Sequence, residues 1–271
     1  MAHLRGNLHT HTWRCKHARG DVVDYLRAAQ TAGLSVLGMS DHTPTPDGRW
    51  NTVRMDGDQL DGYCEACAAA RSMVPEVSLH VGFECEPVSD FESFYREELL
   101  GRAGAEYLVC GTHWVDAPDG TWPVIFRELD SSALRHRYAE TLCRAIESGL
   151  YLFIAHPDAF GGSCETWDAE SEAVARAICS TAARAGVPLE LNSYGLRKPP
   201  LETAYGIRHA YPWPPFWAVA AECGARVVRS SDAHRPEDVA AGGEALAALI
   251  AAYDLDEVDP ADLIAGVDSR V

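Results

Sequence analysis

The stretch Asp21-Val-Val-Asp-Tyr-Leu-Arg-Ala-Ala-Gln-Thr-Ala-Gly33-Leu34-Ser-Val-Leu-Gly-Met39 contains the repeating unit of the whole chain. Val22, Val23, Leu26 and Ala29 recur at helical spacing, and Gly33 ends the pattern as a natural C-cap. A short apolar run, residues 34–39, follows at once and reads as a strand. The same order recurs onward. Helical patterns at 56–73 (behind an Asp56 cap), 131–148, 168–185 and 215–223 alternate with apolar runs, and Gly149, Gly186 and Gly224 close the last three. Strands are expected at 4–8, 34–39, 78–83, 106–110, 151–155, 187–191 and 225–229.

Seven strand–helix units without a break in composition predict an α/β fold, a (β/α)7 TIM-like barrel forming a single domain over residues 1–271. A doubly wound open sheet permits the same alternation. No Gly-rich phosphate loop follows the first strand, which counts against the nucleotide-binding version of that fold. The segment Tyr211-Pro-Trp-Pro-Pro-Phe-Trp217 reads as a rigid loop entering a helix, and the tail after Asp259 as a final short helix.

Composition narrows the function. With 23 basic and 40 acidic residues the net charge is −17, which argues against nucleic-acid binding. No apolar stretch approaches the ~20 residues of a membrane span, so no membrane partner is expected. Residues 1–8 lack a long apolar segment and a small-residue cleavage signal, so the cytoplasm is the expected compartment. The nine cysteines lack a spacing framework and read as reduced core residues. Cys64 and Cys67 form a CxxC, but it sits inside a predicted helix without a second pair, and no redox or zinc role is assigned to it.

The chemistry lies where the strands end. The first run leads to His9 and His11, with His17 six residues on; the second leads to Ser40-Asp41-His42, and the third to Glu84. The fourth leads to His113, the fifth to His156, the sixth to Asn192 and the seventh to Ser230-Ser-Asp232-Ala-His234. In a parallel barrel these positions meet on the C-terminal face, where such folds build active sites. Any one histidine is more often structural than a ligand, but chance is a poor account of seven of the 11 histidines falling at strand ends with Glu84 and Asp232. His3, His80, His136 and His209 fall outside the pattern and are read as structural or surface residues. Imidazole with carboxylate suits Zn, Mn, Fe or Ni, and nine ligands are enough for two or three metals. Such a cluster can make hydroxide at neutral pH and stabilise in-line displacement at phosphorus.

In this order His9-Thr-His11, His17, Ser40-Asp41-His42, Glu84, His113, His156 and Asp232-Ala-His234 resemble the polymerase and histidinol phosphatase (PHP) superfamily, over Asn7 to about Asp238. Glu190-Leu-Asn-Ser-Tyr-Gly-Leu-Arg-Lys198, Ala210-Tyr-Pro212, the opening His-Thr-His-Thr with Cys-Lys-His, and Ser230-Ser-Asp-Ala-His-Arg-Pro-Glu-Asp238 resemble its histidinol-phosphate phosphatase branch. The resemblance implies a distorted (β/α)7 barrel and three divalent transition metals (Zn, Mn or Fe). One would be held by His9, His11, Glu84 and Asp232, one by Glu84, His113 and His156, and one by His17, His42 and His234. It also implies hydrolysis of L-histidinol phosphate through a metal-bridging hydroxide, with another small phosphate ester or a phosphodiester as the alternative substrate. Three features depart from the family pattern: Asn7 where Asp is common, Glu86-Pro87 after the bridging Glu, and the stretch 116–127.

Two further residues are candidates for catalysis. Arg197, just past the sixth strand, could clamp a phosphate in two places; a surface arginine paired with an acid is an equal reading. Asp41 could orient a ligand histidine or protonate the leaving alkoxide. Trp13, Tyr194 and Trp213 could stack on an imidazole ring, although packing is the commoner role of such aromatics.

Overall fold

The structure, a computed structural model, describes residues 3–268. In chain order its elements are β1 (Gly6–Asn7), α1 (Val22–Ala32), β2 (Val36–His42), α2 (Leu60–Ala70), β3 (Ser78–Cys85), α3 (Glu92–Phe94), β4 (Tyr107–Cys110), α4 (Ser132–Glu147) and β5 (Phe153–Ile154). They continue with α5 (Ala169–Ala185), β6 (Leu189–Asn192), β7 (Leu201–Thr203), β8 (Gly206–Arg208), α6 (Pro214–Cys223), β9 (Arg226–Ser230), α7 (Gly243–Tyr253), β10 (Asp256–Glu257) and α8 (Pro260–Asp268). Each expected strand is present, as β1 to β6 and β9. Each expected helix is present too, as α1, α2, α4, α5, α6 and α8.

The helix ends follow from local chemistry. Asp21 caps α1 in a reciprocal capping box with Asp24, and Gly33 closes it at φ 75°, a conformation that suits glycine. Asp168 caps α5 by accepting from Ser171 N, and Gly186 closes it in the same left-handed conformation. Pro214 opens α6 at the position where a missing N–H costs nothing.

The chain forms two compact units, one of Met1–Val109, Ser230–Gly243 and Asp259–Val271, the other of Cys110–Arg229 and Glu244–Val258. In the first, β1, β2, β3 and β4 lie side by side in that order, and the β1–β2 and β2–β3 pairs are parallel. Strand β2 is buried along its whole length, the mark of a parallel strand covered on both faces. Gly38 and Gly82 leave room for the Tyr107 ring: a Cβ added at Gly82 would stand 2.6 Å from it. The Tyr107 hydroxyl donates to Leu8 O at 2.8 Å, so this buried ring keeps its polar end satisfied.

In the second unit β5, β6, β9 and β10 are neighbours in that order, with Ile154 opposite Leu189 and Asp256 opposite Arg226, both parallel. Tyr138, Phe153, Phe160, Phe216 and Trp217 fill its core. Trp213 is buried against Trp167 and Phe160, so its ring serves packing. The β7–β8 hairpin, β10 and α7 have no clear counterpart in the sequence pattern. These three short strands offer too few residues to show a period, and α7 is mostly alanine and leucine, with Glu244 its one charged residue and no polar face. Among the described residues no helix is long and apolar enough to cross a membrane.

Candidate metal centre

Backbone register assembles the cluster of the first unit. The β2–β3 pairing sets His42 directly opposite Glu84. Beyond β1 the chain stays extended, and Thr10 forms a parallel bridge with Ala233. His11 N donates to Ala233 O at 2.9 Å, and Ala233 N to His9 O at 3.2 Å. Side chains alternate along extended chain, so this one bridge brings His9 and His11 to the same side as Asp232 and His234.

The distances follow. His9 Nε2 lies 3.4 Å from Glu84 Oε2 and 3.6 Å from Asp232 Oδ1. His11 Nε2 lies 3.0 Å from Asp232 Oδ1 and 3.6 Å from Glu84 Oε2, and His42 Nδ1 is 2.8 Å from Glu84 Oε2. The donor atoms of His9, His11 and Glu84 fall within 4.8 Å of one another, as do those of His11, His42 and His234. Apart from His17, which is exposed, these residues are buried.

His17 and His234 carry the most telling geometry. Their Nε2 atoms stand 3.0 Å apart. Each Nδ1 faces a backbone carbonyl, His17 that of Cys15 at 2.8 Å and His234 that of Asp232 at 3.1 Å. A carbonyl can only accept, so each neutral ring carries its hydrogen on Nδ1 and turns a lone pair out at Nε2. Two lone pairs at this separation need a cation to share, either a proton or a metal. Burial, with the neighbouring His11 charge, holds His234 well below the ordinary imidazole range, which disfavours the proton. Imidazoles with carboxylates close by form a donor set that fits a divalent transition metal.

The other groups are poised likewise. Burial holds His42 well below the imidazole range, more than Glu84 offsets. At His11 burial acts the same way but is outweighed by Asp232 and Asp41, which bring it up to about 9. Burial would raise Asp232, yet His9 and His11 hold it well below the carboxylate range. In these charge states the metal-free cluster has neutral His42 and His234 imidazoles beside an anionic Asp232.

Supporting side chains fix this arrangement. Asp41 faces inward: its Oδ2 accepts from Thr12 N at 3.1 Å and from the Thr12 hydroxyl, while its Oδ1 accepts from His42 N at 2.9 Å and lies 3.5 Å from His11 Nδ1. Asn7 Oδ1 accepts from His9 N at 3.1 Å, while its Nδ2 donates to Ser231 Oγ at 2.6 Å and Val239 O at 3.0 Å. Ser231 Oγ donates to the same Val239 carbonyl, so both of its neighbours here call for a donor at position 7. That accounts for the amide where the family commonly has an acid. Glu86, the second departure, is buried in an ion pair with Arg54, whose Nη1 lies 3.3 Å from His42 Nδ1.

In the second unit, the His113 and His156 rings lie 5.1 Å apart between centroids. The unfamiliar stretch 116–127 folds back on His113, with Ile125 N donating to His113 O at 3.0 Å, and it brings the Phe126 ring to 5.8 Å from His113. His156 has φ 33° and Asp232 φ 49°, so two expected ligands sit in left-handed backbone. Glu190, fully buried, holds the first by accepting His156 N at 2.9 Å and Asn192 Nδ2 at 2.8 Å on one oxygen. Arg197 folds over the Tyr194 ring and donates to Ser193 Oγ at 3.0 Å. Lys198 Nζ lies 4.6 Å from the Tyr194 ring, 4.7 Å from Phe126 and 5.2 Å from Tyr211. Sequence reasoning gave no role to Glu190 or Lys198, although both lie in a stretch that resembles the family. Of the remaining histidines, His80 pairs with Glu106 and His136 with Glu170, each at 2.6 Å.

The PHP domain family matches residues 7–194, and the chain belongs to that family. A Deinococcus radiodurans protein named probable histidinol-phosphatase is 32% identical over 240 residues, covering 85% of this chain and 86% of that protein. Two solved structures share the architecture. One, from Listeria monocytogenes and assigned as a histidinol phosphatase, superposes with a TM-score of 0.71 at 19% identity, covering 88% of this chain and 98% of that one. The other, histidinol phosphate phosphatase from Lactococcus lactis in complex with zinc, L-histidinol and phosphate, gives 0.68 at 14% identity, covering 94% and 95%. These likenesses show the fold, an α/β arrangement of the distorted TIM-like barrel class.

Proposed function

We propose that the chain is a metal-dependent phosphomonoesterase that hydrolyses L-histidinol phosphate to histidinol and phosphate. The observation that carries the metal dependence is the pair of facing Nε2 atoms on His17 and His234, 3.0 Å apart. The substrate follows from relatives: the Deinococcus protein named for this activity, 32% identical, and the Lactococcus structure holding histidinol and phosphate.

Three divalent metals (zinc, manganese or iron), held by His9, His11, His17, His42, Glu84, His113, His156, Asp232 and His234, would lower the pKa of water and neutralise charge developing at phosphorus. Asp41 is a positioning residue, because its contacts are to Thr12, His42 and His11. It keeps His11 turned with Nε2 toward Asp232. Glu190 plays the same part for the backbone of His156. Arg197 grips the phosphoryl group, and its fork is held ready by Ser193 and the Tyr194 face. The small cationic amine of histidinol suits a chain of net charge −17. The family match runs unbroken from 7 to 194, which supports a single domain, and nine free cysteines suit the reducing cytoplasm.

The test is a substrate panel. Metal-loaded protein should release phosphate from histidinol phosphate with a kcat/KM orders of magnitude above that for alkyl or sugar phosphates. Equal, weak rates across all monoesters would overturn the substrate assignment.

A further inference from the structure

One buried nucleophile in the first unit has no part in the function proposed above. Cys15 ends the short turn Trp13–Cys15, which Thr12 caps by accepting Arg14 N. Its side chain is fully buried, and Sγ donates to Thr12 O at 3.2 Å. Cysteine is often a small core hydrophobe, but the neighbours here are metal-type donors. Sγ lies within 4.8 Å of the donor atoms of His17 and His234, and within the same distance of those of His11 and Asp41. The turn also fixes its direction. His17 Nδ1 is anchored on the Cys15 carbonyl at 2.8 Å, so the thiol and the His17 ring are delivered to one place, beside His234, by a three-residue segment.

We propose that Cys15 is the sulfur ligand of the metal held by His17 and His234. The inference rests on the metal-centre reading and adds a donor to it. On binding, the thiol proton would leave to solvent and the thiolate would join the imidazoles of His17 and His234, beside the His42 that the family's ligand set gives to the same metal. A sulfur donor makes this position the soft one in a cluster otherwise built from nitrogen and oxygen, and so favours zinc over magnesium or manganese.

Cobalt(II) is the probe, used with the full chain. Visible d–d bands report bound cobalt, and a strong near-ultraviolet charge-transfer band reports a cobalt–thiolate bond. The native protein should show both. Cys15→Ser and Cys15→Ala should keep the visible bands and lose the near-ultraviolet one, with circular dichroism checking that each folds. Visible bands alone in the native protein would overturn the proposal, as would a near-ultraviolet band that survives in either variant. The absence of both bands would instead remove the metal-centre reading on which it rests. If neither variant folds, a zinc X-ray absorption spectrum of the native protein without a sulfur neighbour at about 2.3 Å overturns it.

Discussion

His17 and His234 are 217 residues apart in sequence, yet their Nε2 atoms meet at 3.0 Å with both Nδ1 atoms committed to backbone carbonyls. The Thr10–Ala233 bridge brings the two segments together, and Arg19 N strengthens the junction by donating to His234 O at 2.9 Å. Neither ring can turn its Nδ1 hydrogen toward the other without abandoning a carbonyl. The fold therefore sets up a place for a cation.

Glu84→Ala should be among the most damaging single changes to activity. One Glu84 oxygen lies 3.4 Å from His9, 3.6 Å from His11 and 2.8 Å from His42, so its loss removes the anion that three imidazoles share. Groups that only support a metal ligand cost about 10–100-fold when removed. Loss of Glu84 should exceed that in kcat/KM and should lower metal content. A variant with native turnover and full loading would contradict its role.

The grouping of His9, His11, His42, Glu84, Asp232 and His234 was legible in the sequence because candidate metal donors are chemically distinctive and parallel strands deliver them in order. His42 and Glu84 read as strand-end residues, and the register sets them opposite each other. The supports were harder to see. Asn7 read only as a departure from a family pattern, because its partners Ser231 and Val239 lie more than 220 residues away and no local periodicity links them. Glu86 was opaque for the same reason, since nothing local in the sequence ties it to Arg54. Helix α7 was missed because a run of alanine and leucine lacks the polar face that marks a helical period.

Asn7→Asp should weaken the fold although it restores the commoner residue. The Asn7 amide donates to Ser231 Oγ and Val239 O, and a carboxylate would turn acceptors toward both. Lost and unsatisfied buried hydrogen bonds cost about 1–3 kcal/mol. Urea denaturation of the metal-free variant should show a loss of that order. An unchanged midpoint would mean that Ser231 and its neighbours rearrange freely.

Asp158 gives the second unit a pH dependence. Its Oδ2 accepts from Trp213 N at 2.6 Å and Trp217 Nε1 at 2.8 Å, and burial pushes the carboxyl up to about 7 from 3.8. The folded state thus holds a proton that the unfolded chain releases near 3.8. Its contribution is full below that value and is lost as pH rises through about 7. Asp158→Asn keeps an acceptor but never ionises. In chelator-treated protein, its unfolding midpoint relative to native should be higher at pH ~8 than at pH ~5, by on the order of a few kcal/mol in stability. A difference independent of pH would show that Asp158 stays ionised throughout.

Arg197→Lys separates a phosphate clamp from general attraction. Lysine keeps the charge but loses the planar fork that rests on Ser193 and the Tyr194 ring. Hydrolysis should fall by about tenfold or more with metal content unchanged, through KM if the ground-state grip is lost and through kcat if only the transition state is affected. Native kinetics would return Arg197 to a structural role on its own turn.

The central claim is that the residues gathered around Glu84, Asp232 and the His17–His234 pair hold a multi-metal centre. Elemental analysis of gently purified protein, expressed as equivalents per folded chain, tests it most directly. The account predicts more than one equivalent of a transition metal, approaching three, with loss of phosphatase activity on chelation and recovery on zinc or manganese. A reproducible value of zero or one in protein that hydrolyses histidinol phosphate at full rate would contradict it.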